Sequence, residues 1–284
     1  MPLLPSYRSS PIRKRRSGWS LPALALLLVA CGQPPARGGG GIVSLNPCAD
    51  AMLVRLVAPE RIAAISHYSH DPAATSLPLD VARRFPATAG TAEEVVAMRP
   101  GLVLASSFTP PSTRAAFARA GLRTVYLDSP TTIAASRAQV AEVAIAVGAP
   151  DRGRAVTAEI DRALAASAPS WRPGDEPAAL LFIAGELANG SGTLLDELLT
   201  RAGFRNAAAR YGLRYSGTLP AEMIVSDPPD VILTPDPAAR TAAMRGRLLP
   251  DTPVAVFPRA LVNCGGPSIA PALRRLAEVR AALA

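Results

Sequence analysis

Both histidines of the chain fall within one short stretch, His67-Tyr68-Ser69-His70-Asp71. Neutral imidazole is a good ligand for zinc, iron or cobalt, and a neighbouring carboxylate can act as a further ligand or hold the ring in place. Pro72 disfavours a helix that continues through the stretch, so the spacing does not fix the directions of the rings. Two interpretations stay open: His67 and His70 ligate a metal, or they hydrogen-bond a ligand or the backbone.

Besides Cys31, the chain contains two cysteines, Cys48 and Cys264. They could form a disulfide in an oxidising compartment. Alternatively, one thiolate could ligate a soft metal, or both thiols could remain unpaired. The sequence leaves these three possibilities equally open.

The N-terminal residues have the composition of an export signal. Residues 1–30 carry five basic residues and no acidic one, and they end in the apolar stretch 21–30. About ten apolar residues are half of what a membrane-spanning helix needs. Leu28-Val29-Ala30-Cys31 resembles a bacterial lipobox. We therefore predict a signal peptide over 1–30, lipidation of Cys31, a flexible Gly-rich tether over 31–41 and a periplasmic, membrane-anchored lipoprotein. A short membrane anchor or a cleaved, unlipidated signal is the alternative.

Composition and missing motifs exclude several classes of protein. The 284 residues are 49% hydrophobic and 18% charged, which excludes a disordered chain. The net charge of +8 resides largely in the leader, so no nucleic-acid partner is expected. The chain has no G-x-S-x-G elbow, no G-x-G-x-x-G after a strand and no G-x-x-x-x-G-K-[ST] loop. These absences argue against a serine hydrolase and against nucleotide binding.

From residue 42 onward, short apolar runs alternate with helical stretches, which is typical of α/β layers built on parallel strands. We predict strands at 42–45, 62–65, 102–105, 124–127, 179–183, 231–233 and 254–257. Helices are predicted at 49–57, 93–98, 112–120, 133–147, 194–202, 221–225, 238–247 and 268–282.

One long segment breaks this alternation. Residues 151–168 form an amphipathic pattern with Val156, Ile160 and Leu164 at four-residue spacing, and a Pro- and Gly-containing breaker follows. We predict a single interdomain helix here, joining an N-terminal α/β lobe (42–150) to a C-terminal α/β lobe (169–284).

The two halves also share a repeated pattern. Glu93 and Glu222 each precede a proline, Pro100 or Pro229, and each proline leads into an apolar strand. The offset between the halves is 129 residues for the glutamates and for the prolines. Helix–proline–strand junctions are common in any α/β protein, but the constant offset favours two similar lobes.

Two segments, IVSLNPCADAMLVRLVAPERIAAISHYSHDP and EEVVAMRPGLVLASS, carry a family resemblance. They resemble class III periplasmic substrate-binding proteins, the cobalamin- and iron-siderophore-binding components of ABC importers. The resemblance implies two α/β lobes bridged by a rigid helix, no catalytic activity and no resident cofactor. It also implies a monomer that delivers a metal chelate to permease subunits. The chelate would be a corrinoid, an iron-siderophore or heme.

In such proteins the ligand lies between the lobes, at loops that follow the carboxyl ends of parallel strands. The resemblance places Tyr68 where cobalamin-binding relatives have an aromatic residue that can stack on a flat macrocycle. The ligand-binding candidates in these loops are Asn46, Cys48, His67, Tyr68, His70, Ser106, Ser107, Phe108, Glu186, Arg259, Asn263 and Cys264.

Glu93 and Glu222 occupy equivalent places in the two halves. The resemblance implies that both glutamates dock onto arginines of the permease. Two separated carboxylates would orient the complex more than they would tighten it. The alternative is that both residues simply favour helix N-termini.

Two other functions remain to be tested. The first is a secreted metal-dependent hydrolase built on His67, His70 and Asp71, which lacks a third strong ligand and a base. The second is a receptor for a bare metal ion, which would usually offer three or four His and carboxylate ligands.

Overall fold

The computed structural model describes residues 40–167 and 174–283. The predicted signal peptide, Cys31 and the tether up to residue 39 lie outside the described residues, as does the predicted end of the long helix at residue 168. Within the described part of the chain, no helix combines the length and the apolar character needed to cross a membrane.

The first lobe is built on a parallel sheet of five strands. They are β1 (Ile42–Ser44), β2 (Ile62–Ser66), β3 (Ala87–Thr88), β4 (Leu102–Ser106) and β5 (Thr124–Leu127), in the order β3-β2-β1-β4-β5. All four strand pairs are parallel. The helices of this lobe are α1 (Pro47–Leu56), α2 (Leu79–Ala82), α3 (Ala92–Met98), α4 (Pro111–Arg119) and α5 (Ile133–Ala146).

Side-chain caps set the starts of the main helices in this lobe. Asn46 accepts a hydrogen bond from the backbone N–H of Cys48 at 2.9 Å, and Pro47 occupies the first turn of α1. Thr91 and Thr132 cap α3 and α5 in the same way. These caps satisfy N–H groups that have no partner within the helix, so the loop before each helix is held in a defined conformation.

The predicted interdomain helix is α6 (Pro150–Ser167). Its apolar stripe is divided between the lobes: Val156 is buried in the core of the first lobe, whereas Ile160 and Ala163 are buried in the core of the second. A Cβ at Gly153 would lie 2.5 Å from the Cβ of Ala144. Glycine at this position therefore lets α5 and α6 pack closely.

The second lobe contains a mixed sheet. Its strands are β6 (Ala178–Ala184), β7 (Leu187–Asn189), β8 (Arg205–Asn206), β9 (Ser216–Thr218), β10 (Val231–Thr234) and β11 (Val254–Val256). Its helices are α7 (Leu194–Arg201), α8 (Ala207–Arg210), α9 (Ala221–Ser226), α10 (Arg240–Leu248) and α11 (Ile269–Ala281). The strand order is β11-β10-β6-β7-β9, and β8 pairs with β6.

The antiparallel part of this sheet was not predicted. β6, β8, β10 and β11 pair in parallel, but β7 runs antiparallel to both β6 and β9. Gly185 and Glu186 alone connect β6 to β7, and Gly185 adopts a φ of +46°. A two-residue connection closes a hairpin and is too short for the crossover that a parallel pair requires.

The repeat seen in the sequence corresponds to equivalent elements of the two lobes. α3 leads into β4, which lies between β1 and β5. In the second lobe α9 leads into β10, which lies between β6 and β11. Each glutamate of the repeat therefore precedes a central strand of its own sheet.

The lobes are in direct contact at the 3₁₀ turn Gly266–Ser268, which packs against α1 and α5 of the first lobe. The backbone N–H of Gly266 donates to the Oγ of buried Ser136 at 2.6 Å. A Cβ at Gly265 would lie 2.4 Å from that oxygen, so the close approach requires glycine. The second lobe is thus held against the first by backbone packing as well as through α6.

Candidate functional site

The loops that follow β1, β2, β4 and β5 share one edge of the first sheet, because the carboxyl ends of parallel strands lie together. Loops of the second lobe face this edge across a cavity of about 600 Å³. The cavity is lined by Leu45, Asn46, Pro47, Cys48, Tyr68, Ser106, Asp128, Ser129, Pro130, Thr131, Ile183, Asn189, Thr193, Leu194, Leu195, Ser216, Val262, Asn263, Cys264 and Gly265. Its volume falls within the range of small-molecule sites.

Half of the predicted ligand-binding residues line this cavity. Asn46, Cys48, Tyr68 and Ser106 come from the first lobe, and Asn263 and Cys264 come from the second. His67, His70, Ser107, Phe108, Glu186 and Arg259 are not among the lining residues.

A disulfide between Cys48 and Cys264 joins the two lobes within the cavity wall, with the Cα atoms 5.2 Å apart. Of the three possibilities that the sequence left open, the structure therefore contains the disulfide. A disulfide sulfur is not a thiolate, so metal ligation by either cysteine is excluded in this state.

Each histidine uses one ring nitrogen in a backbone contact. Nδ1 of His67 lies 3.2 Å from the carbonyl oxygen of Thr88, and Nε2 of His70 lies 3.1 Å from that of Ala82. A carbonyl oxygen can only accept, so these ring nitrogens are the protonated donors. Both side chains therefore support the 3₁₀ turn His67–His70 rather than reaching into the cavity.

No group of three or more His, Cys, Asp or Glu side chains within residues 40–167 and 174–283 is arranged to hold a metal ion. The hydrolase on His67, His70 and Asp71 and the bare-ion receptor both need such a group. The structure supports neither alternative.

Tyr68 is the aromatic side chain that the turn brings to the cavity. Its ring is 51% exposed and packs against that of His67 at a centroid distance of 4.1 Å. Phe108 is 79% exposed but lies away from the cavity. Of the aromatic candidates, Tyr68 is thus the residue placed to meet a bound ring.

The remaining predicted residues have other positions in the structure. Glu186 lies in the hairpin turn between β6 and β7. Nη1 of Arg259 donates to the carbonyl oxygen of Ile183 at 3.1 Å. Ser107 accepts, through its carbonyl oxygen, a hydrogen bond from Arg114.

Sequence reasoning missed two parts of the cavity wall. The first is the loop Asp128–Thr131, which follows β5; because β5 was predicted, the carboxyl-end rule would have identified this loop. The second comprises Asn189, Thr193 and Ser216, around the antiparallel strands β7 and β9. Thr193 donates to Oδ1 of buried Asn189 at 2.9 Å, so this part of the wall is held in place. This part of the wall was missed because β7 and β9 were not predicted as strands.

Asp50 is a fully buried carboxyl group beneath the Tyr68 turn. Its Oδ2 accepts hydrogen bonds from the backbone N–H of Ser66 at 3.1 Å and from the hydroxyl of Ser69 at 2.6 Å. Its Oδ1 has no hydrogen-bond partner among the described residues. Burial raises the pKa of Asp50 from 3.8 to about 7, and the hydrogen bonds offset only part of that effect.

Glu93 and Glu222 are both exposed, each in the first turn of a short helix of its own lobe. Neither carboxylate takes part in an ion pair among the residues that the structure describes. Both are therefore open to an external partner.

Two α/β lobes, one connecting helix and a cavity between facing loops define a two-lobed binding protein. A profile of the periplasmic binding protein family matches residues 42–255, and the chain belongs to this family. The assignment made from the sequence is confirmed. A search of curated sequences finds no significant match.

Solved structures share the fold over most of their length. The periplasmic heme-binding protein RhuT from Roseiflexus sp. RS-1 is 22% identical, with a TM-score of 0.68 and coverage of 87% of this chain and 98% of RhuT. The periplasmic heme-binding protein HutB of Vibrio cholerae is 16% identical, with a TM-score of 0.70 and coverage of 86% of this chain and 98% of HutB. The periplasmic vitamin B12-binding protein BtuF of Vibrio cholerae is 16% identical, with a TM-score of 0.60 and coverage of 85% of this chain and 96% of BtuF.

Proposed function

We propose that this protein captures a metal chelate between its lobes and delivers it to the permease of an ABC importer. The observation that carries the proposal is the cavity, which is lined by residues from both lobes. A ligand in that position contacts both lobes at once, as expected for a binding protein whose function is capture and delivery.

The chelate class is a corrinoid, a heme or an iron-siderophore. The structural neighbours RhuT and HutB are heme-binding proteins, and BtuF is a vitamin B12-binding protein. The exposed ring of Tyr68 favours a flat ligand over other shapes, because an aromatic face stacks well on a macrocycle.

Tyr68 can act in two ways that a pair of variants separates. The ring can stack on the macrocycle, or the phenol oxygen can ligate iron. Tyr68→Phe keeps the ring and removes the oxygen, whereas Tyr68→Ala removes both. If stacking dominates, Tyr68→Phe retains the affinity for the chelate and Tyr68→Ala loses it. If ligation dominates, both variants lose affinity and the absorbance of bound heme shifts in Tyr68→Phe.

The direct test begins with the mature chain purified under native conditions. We expect mass spectrometry and absorbance to detect a retained metal chelate, and titration with heme, cyanocobalamin and ferric siderophores to give saturable binding of at least one class. The bound chelate should be recovered chemically unchanged, since we propose no catalytic activity. Absence of binding to all three classes contradicts the proposed function.

Delivery involves Glu93 and Glu222, which we propose as the docking residues for permease arginines. Their exposure, their lack of ion pairs in the described residues and their equivalent places in the two lobes support this role. We further propose that Cys31 carries a lipid that anchors a monomeric protein to the periplasmic face of a membrane.

A further inference from the structure

Apart from Asp128, the polar part of the cavity wall is made of uncharged groups. The amides are Asn46, Asn189 and Asn263, and the aliphatic hydroxyls are Ser106, Ser129, Thr131, Thr193 and Ser216. The lining residues in the described part of the chain include no Arg, Lys or His. Such a wall can hydrogen-bond amides and hydroxyls of a ligand but cannot neutralise an anion.

Arg114, Arg214 and Arg259 lie near lining segments in the sequence but are not among the lining residues. Arg214 is exposed, with its guanidinium carbon 5.7 Å from the centroid of the Tyr215 ring. Arg259 donates to the carbonyl oxygen of Ile183 at 3.1 Å. Arg114 donates from Nε to the carbonyl oxygen of Thr109 at 3.0 Å and lies over the ring of Tyr126. These contacts hold the guanidinium groups against backbone carbonyls and a ring, where they support the loops around the cavity.

Asp128 is the one carboxylate among the described residues that line the cavity. It follows β5 and is exposed, and its carboxylate makes no ion pair within the described residues. Its backbone oxygen accepts a hydrogen bond from Nε2 of Gln139 at 2.6 Å, which fixes the start of the loop. Asp128 therefore contributes a carboxylate-bearing residue to the wall of the space that a ligand would enter.

We propose that the lack of a cationic side chain in the wall, together with the charge of Asp128, makes the cavity selective for chelates whose periphery is uncharged or cationic, and that chelates bearing free carboxylates are discriminated against. This inference rests on the proposed function, since it specifies which chelates the same cavity accepts. Asp128 acts as a specificity-determining residue through its charge.

Two effects act against a carboxylate-bearing ligand. Each ligand carboxylate that enters the cavity loses water without gaining a cationic partner, which lowers affinity by about tenfold or more. Repulsion by Asp128 adds about threefold, which is the scale of a partly exposed charge pair, and salt screens this part.

The experiment uses two pairs of probes. The members of each pair share the same ring system and differ in the number of free carboxylates. One pair is heme and heme dimethyl ester, and the other is cyanocobalamin and its peripheral monocarboxylic acids. Affinities are measured by fluorescence quenching at low and at physiological salt for the wild type, for Asp128→Asn, and for Asp80→Asn as a control with an acid outside the cavity lining. We expect the uncharged member of the bound pair to bind about tenfold more tightly.

Asp128→Asn should raise the affinity of the carboxylate-bearing probe about threefold at low salt relative to that of its uncharged partner. Asp80→Asn should change neither. Equal or tighter binding of the carboxylate form overturns the selectivity, and an Asp128→Asn variant that preserves the wild-type ratio overturns the role of Asp128 in it. Both results leave chelate capture intact. Failure of all four probes and of ferric siderophores instead contradicts the proposed function.

Discussion

Asp50 gives a stability prediction whose sign follows from its burial. Burial raises its pKa from 3.8 to about 7, so the folded state holds a proton that the unfolded chain releases. The stability contributed by this group is fully present below pH 3.8 and is lost as the pH rises through about 7. We therefore expect the free energy of unfolding to decrease over this window because of Asp50.

The magnitude follows from the shift in pKa. A difference of about three units corresponds to about 4 kcal/mol, at 1.36 kcal/mol per unit. Asp50→Asn removes the titration and keeps an oxygen that can accept from Ser66 and Ser69. Because about 1 kcal/mol of this effect is already lost at pH 4.5, the variant should become more stable relative to the wild type by about 3 kcal/mol between pH 4.5 and pH 8.

Urea unfolding followed by circular dichroism at pH 4.5, 6 and 8 measures this change. Asp80→Asn is the matched control, because it makes the same substitution at an aspartate whose side chain is 74% exposed. A constant difference for Asp50→Asn would refute the reasoning. A wild type that gains stability over the variant with rising pH would show that the hydrogen bonds outweigh burial.

Three further predictions concern the lobes, the docking surface and the leader. The double variant Cys48→Ser/Cys264→Ser should lose about 5 kcal/mol of stability, because the disulfide closes a loop of 216 residues, and reduction of the wild type should reproduce the loss in urea unfolding. Charge removal by Glu93→Gln with Glu222→Gln should abolish uptake in a reconstituted transporter and leave chelate affinity unchanged. Replacement of Cys31 by serine should release the protein from the membrane or leave an unprocessed precursor, as seen by fractionation and mass spectrometry.

Each of these experiments has a result that contradicts its prediction. A double cysteine variant as stable as the wild type would mean that the disulfide does not stabilise the folded chain. Glu60→Gln is the control for the docking variants, since Glu60 is also exposed. Normal uptake by the docking double variant would exclude that role. Unchanged membrane association and processing after loss of Cys31 would refute the lipoprotein assignment.

Most of the fold was predictable because its signals are local. Each strand predicted from an apolar run is present within one or two residues, and α6 follows the spacing of Val156 and Ile160. The strands that escaped prediction, β3, β7, β8 and β9, are two or three residues long. β1 and β11 are also three residues long, but they consist mainly of β-branched apolar residues. The four missed segments contain no such apolar run, so only their pairing partners define them as strands.

The site was predictable only in part. The carboxyl-end rule located Asn46, Tyr68, Ser106 and Asn263 because it needs no more than the strand positions. The same rule also selected His67, which the structure turns toward the carbonyl oxygen of Thr88. A loop's place in the sheet is a local property, but the direction of each side chain depends on the partner that its polar atoms find.

The sequence alone determined the class of fold, the connecting helix and the family. The signals for all three, apolar periodicity and the opening strand–turn–helix, depend only on residues that lie close together in the chain. The tertiary structure decided that Cys48 and Cys264 are joined, although they are 216 residues apart. It also decided that Asp50 is buried and that Asp128 lines the cavity. Burial, pairing and charge environment depend on which distant segments meet, and no spacing within one segment specifies that.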